Sequence, residues 1–182
     1  MNKSISTTII LLCCGYIFGQ EKKNMEWEII NVGVPFSVQA NNRGVVSYND
    51  VGFVLGSEVR YNLPKTNFSL GAQFTMTGWN RMSNGSYTQH QNPFVFLGVA
   101  DYNYRAIHRN FVPFAGMGLG FSIVRSWPYD DESMLNTQSY FACSPRIGIE
   151  FFKRIRLTTE YQFIGGGHSF FDLKLGFVVG GR

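Results

Sequence analysis

The 182-residue chain has few charged residues, few cysteines and no long apolar run. Charged side chains make up 15% of it, against about 25% in an ordinary soluble domain. The net charge of +4 is spread without a basic run, so we expect no nucleic-acid partner. Helical periodicity is missing as well, which excludes a coiled coil. Aromatic residues, by contrast, reach 16%, and this abundance excludes intrinsic disorder.

The N-terminus resembles a secretion signal. Lys3 supplies a positive charge, an apolar run spans residues 9–18, and Gly19 is a small residue before the expected cleavage point. The run is far shorter than the roughly 20 apolar residues of a transmembrane helix. We therefore predict a signal peptide over 1–19 and one domain over 20–182. That domain would keep only Cys143, so it can form no intramolecular disulfide.

From Glu28 onward, apolar residues alternate with polar or small residues at a period of two, which is typical of β-strands. The last segment shows the pattern most clearly. Its apolar face consists of Phe171, Leu173, Leu175, Phe177 and Val179, and its other face of Asp172, Lys174 and Gly176. We count about eight such segments. Each is close to the ~9–11 residues with which a tilted strand crosses a bilayer.

The connections between these segments alternate in length. Long connections are predicted at 39–50, 78–92, 125–138 and 164–169, and short ones at 64–67, 107–110 and 153–155. Short turns at one end and long loops at the other are typical of a membrane barrel. The predicted fold is therefore all-β, an eight-stranded antiparallel up-and-down transmembrane β-barrel. An even number of strands returns both termini to the short-turn end.

The charges on the polar face balance, five against five, as a closed lumen requires because each buried charge needs a partner. These predicted lumen residues are Glu58, Arg60, Asp101, Arg105, Arg146, Glu150, Arg156, Glu160, Asp172 and Lys174. Small residues such as Gly116, Gly118 and Gly120 would leave room for them. Aromatic residues gather near the predicted strand ends, as in interfacial girdles: Tyr61, Trp79, Tyr102, Tyr104, Trp127 and Tyr140. We expect the apolar face to contact lipid.

Two segments carry a family resemblance. Residues 170–181 (FFDLKLGFVVGG) look like the last strand of small outer-membrane β-barrel proteins abundant in Bacteroidetes, and residues 111–120 (FVPFAGMGLG) resemble their glycine-rich middle strand. These proteins are OmpA- and OmpX-like in shape. The resemblance implies an outer-membrane location and a last strand that guides insertion by the assembly machinery. One departure is the ending in Gly181 and Arg182, where such barrels commonly have a terminal aromatic residue.

Several motifs invite a chemical interpretation that the pattern around them does not favour. The Gly116–Gly120 run lacks the following helix that would hold a phosphate. His168 and Ser169 are adjacent in sequence, so they would point to opposite faces of a strand. His90 and His108 lie in different predicted loops without metal-ligand spacing. The acidic run at 130–132 is more typical of a solvated loop tip than of a cation site. We expect no catalytic residue, cofactor or metal.

The sequence thus predicts a monomeric outer-membrane barrel with a side-chain-plugged lumen and a structural, adhesion or surface-interaction role. Membrane lipid, the assembly machinery and an unknown extracellular or envelope partner are the expected partners. The predicted loops with Trp79, Tyr87 and Trp127 would form the contact surface. Three alternatives stay open: an enzyme that modifies outer-membrane lipid, a soluble lipocalin-like ligand-binding barrel, and a component of a secretion or gliding apparatus.

Overall fold

A computed structural model describes residues 24–36, 38–41, 44–47, 51–83, 86–104, 110–128 and 135–180. The predicted signal peptide at 1–19 lies outside them. The described strands are β1 (Met25–Phe36), β2 (Val38–Asn41), β3 (Gly44–Ser47), β4 (Val51–Asn62), β5 (Phe68–Ser83), β6 (Ser86–Asn103), β7 (Phe111–Pro128), β8 (Asn136–Phe151), β9 (Ile155–Ile164) and β10 (Phe170–Gly180). A single 3₁₀ turn, Gly165–Gly167, joins β9 to β10. No described helix has the length and apolarity to span a membrane.

Eight strands close into a barrel in the order β1-β4-β5-β6-β7-β8-β9-β10, and β10 pairs back with β1. Every described pairing is antiparallel, and each strand of the barrel pairs with the barrel strand that precedes or follows it in the chain, apart from the closing pair of β10 with β1. The predicted all-β, eight-stranded antiparallel barrel is confirmed. The remaining two strands, β2 and β3, form a separate hairpin inside the segment predicted as a loop at 39–50. The first strand of the barrel ends at Phe36, and the hairpin begins at Val38.

Two other predicted long loops contain strand, which covers most of 78–92 and both ends of 125–138. The ladder between β5 and β6 runs on to Ser83 and Ser86, so most of 78–92 is a hairpin. Strand β7 likewise continues to Pro128, and β8 begins at Asn136. Both faces of these extensions carry polar residues: Gln91 and Ser126 are buried inside, and Asn92 and Arg125 lie on the outer face. Hydrophobic alternation therefore fades there although the backbone hydrogen bonds continue.

The barrel is apolar outside and mostly polar inside. Many large apolar side chains on its outer face are exposed, among them Phe141 at 69%, Ile147 at 59% and Leu175 at 56%. The largest fully buried side chains include Arg60, Arg156 and Lys174. Soluble proteins show the reverse distribution, with lysine and arginine almost never fully buried unless they are paired.

A β-bulge interrupts β1. Its registers with both neighbouring strands shift between Glu28 and Asn31. Glu28 is buried on one side of the bulge, and Asn31 on the other, so the inward phase changes from even to odd numbers. An extra residue in one strand has this effect because successive side chains point to opposite faces.

Candidate functional site in the barrel interior

Arg146 on β8 is the centre of the ion pairs inside the barrel. Its Nη1 atom lies 2.6 Å from Glu58 Oε2, and its Nη2 atom lies 2.6 Å from Asp101 Oδ2. Its Nε atom donates a further hydrogen bond to Asp101 Oδ1 at 2.7 Å. Strands β4 and β8 lie opposite each other in the ring. The Arg146–Glu58 pair therefore crosses the lumen from wall to wall.

Two other arginines tie this pair to the short-turn end of the barrel. Arg60 lies within 3.2 to 3.6 Å of four carboxylates, which belong to Glu26, Glu28, Glu58 and Glu150. Arg156 donates to Asp101 Oδ2 at 2.7 Å, and its guanidinium lies 3.5 Å from the centre of the Phe114 ring. Such stacking suits arginine because its planar cation is weakly hydrated. Both buried guanidinium groups therefore have carboxylate or aromatic partners on several strands.

A second group surrounds Glu160 on β9. Lys174 Nζ lies 2.5 Å from Glu160 Oε1 and 3.8 Å from Asp172 Oδ1. Gln73 donates to Glu160 Oε1 at 2.9 Å from β5, the strand on the opposite wall. Ser144 and Gln162 donate to Glu160 Oε2 at 3.1 and 2.6 Å. This carboxylate therefore accepts four contacts and forms a second bridge across the lumen.

The structure places nine of the ten predicted lumen charges in this interior network, and Arg105 lies outside the described residues. The equal count of cations and anions is not reproduced among the described residues, because Glu26 and Glu28 join the ion pairs. Sequence reasoning missed Glu28 because the bulge in β1 reverses the alternation. Counting backward from Asn31 at a period of two puts residue 28 on the outer face.

Above the charges, towards the long-loop end, a group of buried apolar side chains packs together inside the barrel. This apolar cluster consists of Trp79, Val95, Leu97, Val99, Val124, Ala142, Ile164 and Phe170. Trp79 is only 3% exposed and its ring lies 4.7 Å from that of Phe170. The prediction that Trp79 belongs to a surface loop or an interfacial girdle is therefore wrong. Its strand continues upward, and odd positions of β5 face inward.

Tyr140 is the second member of the predicted girdle that the structure places differently. It lies at an inward position of β8, packs against the apolar cluster and has its ring 5.4 Å from that of His168. Trp127 faces outward. Tyr61, Tyr102 and Tyr104 are exposed at the short-turn end, at 44, 41 and 48%. Tyr87 belongs to β6, but its side chain lies outside the described part.

His168 and Ser169 do not act on each other. The Ser169 hydroxyl donates to the carbonyl oxygen of Ile164 and accepts from its amide, both at 3.0 Å. His168 Nδ1 lies 3.2 Å from Gln91 Oε1. Within the described residues, no group of His, Cys, Asp or Glu side chains has the geometry of a metal site. His108 and residues 130–132 lie outside these residues.

The residues predicted to form the insertion-signal strand lie on the outer face of β10. Phe171, Leu173, Leu175 and Phe177 are 37 to 56% exposed, and Val179 is half-buried near the end of the strand. The alternating Phe170, Asp172, Lys174 and Val178 face the lumen and are buried. β10 closes the barrel against β1, so its apolar outer face is continuous with that of the first strand.

No protein-family model matches the chain, and no curated protein matches it in sequence. Solved structures do. The attachment invasion locus protein Ail of Yersinia pestis is similar over 86% of this chain and 99% of its own, with a TM-score of 0.51 and 12% identity. Neisserial surface protein A is similar over 85% of this chain and 96% of its own, with a TM-score of 0.55 and 13% identity. At such low identities, what the chain shares with these two proteins is the barrel fold.

Proposed function

We propose that this chain is an integral outer-membrane β-barrel protein of the small Bacteroidetes type. The observation that carries the proposal is the predominantly apolar outer face, which continues around the barrel. Phe74 on β5, Phe96 on β6, Phe121 on β7, Phe163 on β9 and Leu175 on β10 are all 36 to 56% exposed. Soluble monomers rarely expose a contiguous apolar patch above a few hundred Å². A bilayer removes this surface from water, whereas a lipocalin-like barrel would need the apolar face inside.

A gel shift on heating tests the proposal. Residues 20–182 are refolded into detergent micelles and run with and without boiling. We expect a compact band that changes mobility only after boiling, because a closed barrel resists the denaturing detergent. A chain that stays monomeric in plain buffer and shows no shift would contradict a membrane location.

The lumen is proposed to be plugged by its own side chains. Two contacts that join opposite walls support this, Arg146 to Glu58 and Gln73 to Glu160. The apolar cluster, including Trp79 and Phe170, fills the lumen above them. An eight-stranded barrel has only enough interior for side chains. We expect no stepwise conductance in planar bilayers, and steady channel openings would contradict the plug.

The role proposed for the protein is structural or adhesive, without turnover and as a monomer. Loops on a rigid scaffold commonly carry binding, and attachment is the role named for Ail, whose fold is similar. The Ser169 hydroxyl donates its hydrogen bond to the backbone of Ile164, and this supports the proposal that Ser169 is not an acyl-transfer nucleophile. Purified protein is expected to leave the acyl chains of lipid A unchanged. Loss of acyl chains that disappears in His168→Ala would favour a lipid-modifying enzyme instead.

A further inference from the structure

The outer face of the barrel changes from apolar to polar at the same level on β6 and β7, and one row lower on β8, where Ser139 is opposite Ile123. On β7 the outward residues from Pro113 to Ile123 are apolar, and the next outward residue is Arg125. From Pro113 to Ile123 the strand rises about 25 Å along the barrel axis, given ~3.3 Å per residue and a tilt of ~40°, which matches the apolar band of membrane barrels. Arg125 is therefore at headgroup level at the long-loop end.

Three hydrogen-bonding side chains lie side by side at this level. Arg125 is directly opposite Asn92 of β6 and opposite Thr137 of β8. Side chains that face each other across an antiparallel pair have Cβ atoms about 5 Å apart. Together they present a guanidinium, an amide and a hydroxyl in one row. The described outward positions of these three strands carry no carboxylate.

Aromatic rings lie directly below and directly above this row on the outer face. The Arg125 guanidinium lies over the Phe94 ring, 5.4 Å from its centre. One level higher, His90 and Trp127 stack with their ring centres 5.4 Å apart. A cation–π contact attracts the guanidinium to the ring face and so reduces the freedom of the long arginine side chain. A tryptophan at this height is typical of the membrane–water interface.

We propose that Asn92, Arg125, Thr137, His90 and Trp127 form a binding site for the phosphate group of a membrane lipid, here named the rim patch. The inference rests on the proposed membrane location. A planar guanidinium binds phosphate oxygens through two parallel hydrogen bonds, and its charge attracts anionic headgroups. The outward Phe96–Phe121 pair, two rows below Arg125 and with ring centres 5.2 Å apart, would pack against the lipid's acyl chains.

Spin-labelled lipids test the rim patch. The refolded protein is placed in phosphatidylcholine bilayers, and its relative affinity for spin-labelled phosphatidic acid over phosphatidylcholine is measured. We expect selectivity for phosphatidic acid that falls about fivefold in Arg125→Gln, the effect of one cation near an anionic surface. Arg125→Lys should keep most of the selectivity, because it keeps the charge. Arg154→Gln is the matched control, since Arg154 is exposed at the opposite end of the barrel.

The outcomes separate this inference from the proposed function. The heat-shift band is recorded on every sample, and its absence in the unaltered protein overturns the membrane barrel itself. A normal band without lipid selectivity overturns the rim patch alone, as does an equal loss in Arg125→Gln and Arg154→Gln. Inorganic phosphate is added in a further arm. Selectivity that persists in its presence supports a lipid ligand, and selectivity abolished by it overturns the assignment to lipid.

Discussion

Arg146 shows how strongly one side chain can depend on the fold around it. It is 3% exposed and is held by Glu58 and Asp101, which come from two other strands. Dehydration of three charged groups is expensive, and their attraction offsets this cost only while all of them are present. Arg146 thus stabilises the barrel less by a favourable energy of its own than by keeping two buried carboxylates from depending on one remaining cation each, Arg60 for Glu58 and Arg156 for Asp101.

We predict that Arg146→Met destabilises the barrel by about 3–5 kcal/mol, because it leaves Glu58 and Asp101 buried without their main partner. Adding Glu58→Gln and Asp101→Asn to the same variant should restore part of this loss. Urea unfolding in lipid vesicles measures the free energies. Arg154→Met, at an exposed arginine, is the control and should change stability by less than about 0.5 kcal/mol. Equal effects at the two positions would contradict the network.

Gly116 makes the second prediction at this scale. A Cβ atom built there would lie 2.0 Å from Asp101 Oδ1 and 2.5 Å from the carbonyl oxygen of Ala100. The carbonyl belongs to the neighbouring strand and cannot move without breaking the ladder. Gly116→Ala should therefore cost about 1–3 kcal/mol, as overpacking does. Gly98→Ala is the matched control on the outer face, where the nearest heavy atom is 3.8 Å away. If Gly116→Ala cost no more stability than Gly98→Ala, the lumen would have room for a methyl group at residue 116.

At the scale of elements, β10 combines an exposed apolar face with a buried face in one strand. Its odd positions from Phe171 to Phe177 are exposed and apolar, and its even positions from Phe170 to Val178 are buried inside the barrel. Leu175 is at mid-strand, opposite Val32 of β1 and Leu157 of β9. Three apolar side chains from three strands thus form one level of the outer belt.

We predict that Leu175→Arg costs about 2–4 kcal/mol of folding stability in bilayers, because it places a cation near the middle of the apolar layer. Val179→Arg, on the same face near the end of the strand, should cost only about 0–1 kcal/mol. Unfolding in vesicles under identical conditions compares the two. If Leu175→Arg proved as mild as Val179→Arg, the outer face of β10 would not be in contact with lipid.

The bulge in β1 is the element that alternation alone could not find. Ile29 and Ile30 are both apolar, so either of them could continue the pattern. Pairing with β4 and β10 decides which residues face inward, and this pairing places Glu28 beside Arg60 and opposite Glu58. The sequence shows the strand but not the position of its extra residue.

For the whole molecule, the three tryptophans report on three environments. Trp27 is 39% exposed on the outer face, Trp79 is 3% exposed in the lumen, and Trp127 lies in the rim patch. We predict that a variant retaining only Trp27 is quenched several-fold more by brominated phosphatidylcholine than one retaining only Trp79. Phenylalanine replaces the other tryptophans, and the heat-shift band checks folding. Similar quenching of the two variants would place Trp79 outside the lumen and contradict its burial inside the barrel.

The sequence by itself determined the all-β fold class and the identity of most interior charged residues. Alternation at a period of two depends only on neighbouring residues, so it revealed the eight strands and their two faces. Nine of the ten charged residues assigned to the polar face are found in the interior network.

Tertiary structure alone decided which residues meet across the lumen, where the bulge lies and where the strands end. Arg146 is 88 residues from Glu58, and Gln73 is 87 from Glu160, so no local pattern can show these contacts. Trp79 is apolar enough for either a membrane interface or a core. Its burial depends on the continuation of β5 and β6 as a paired ladder, in which backbone hydrogen bonds persist after the hydrophobic alternation has faded.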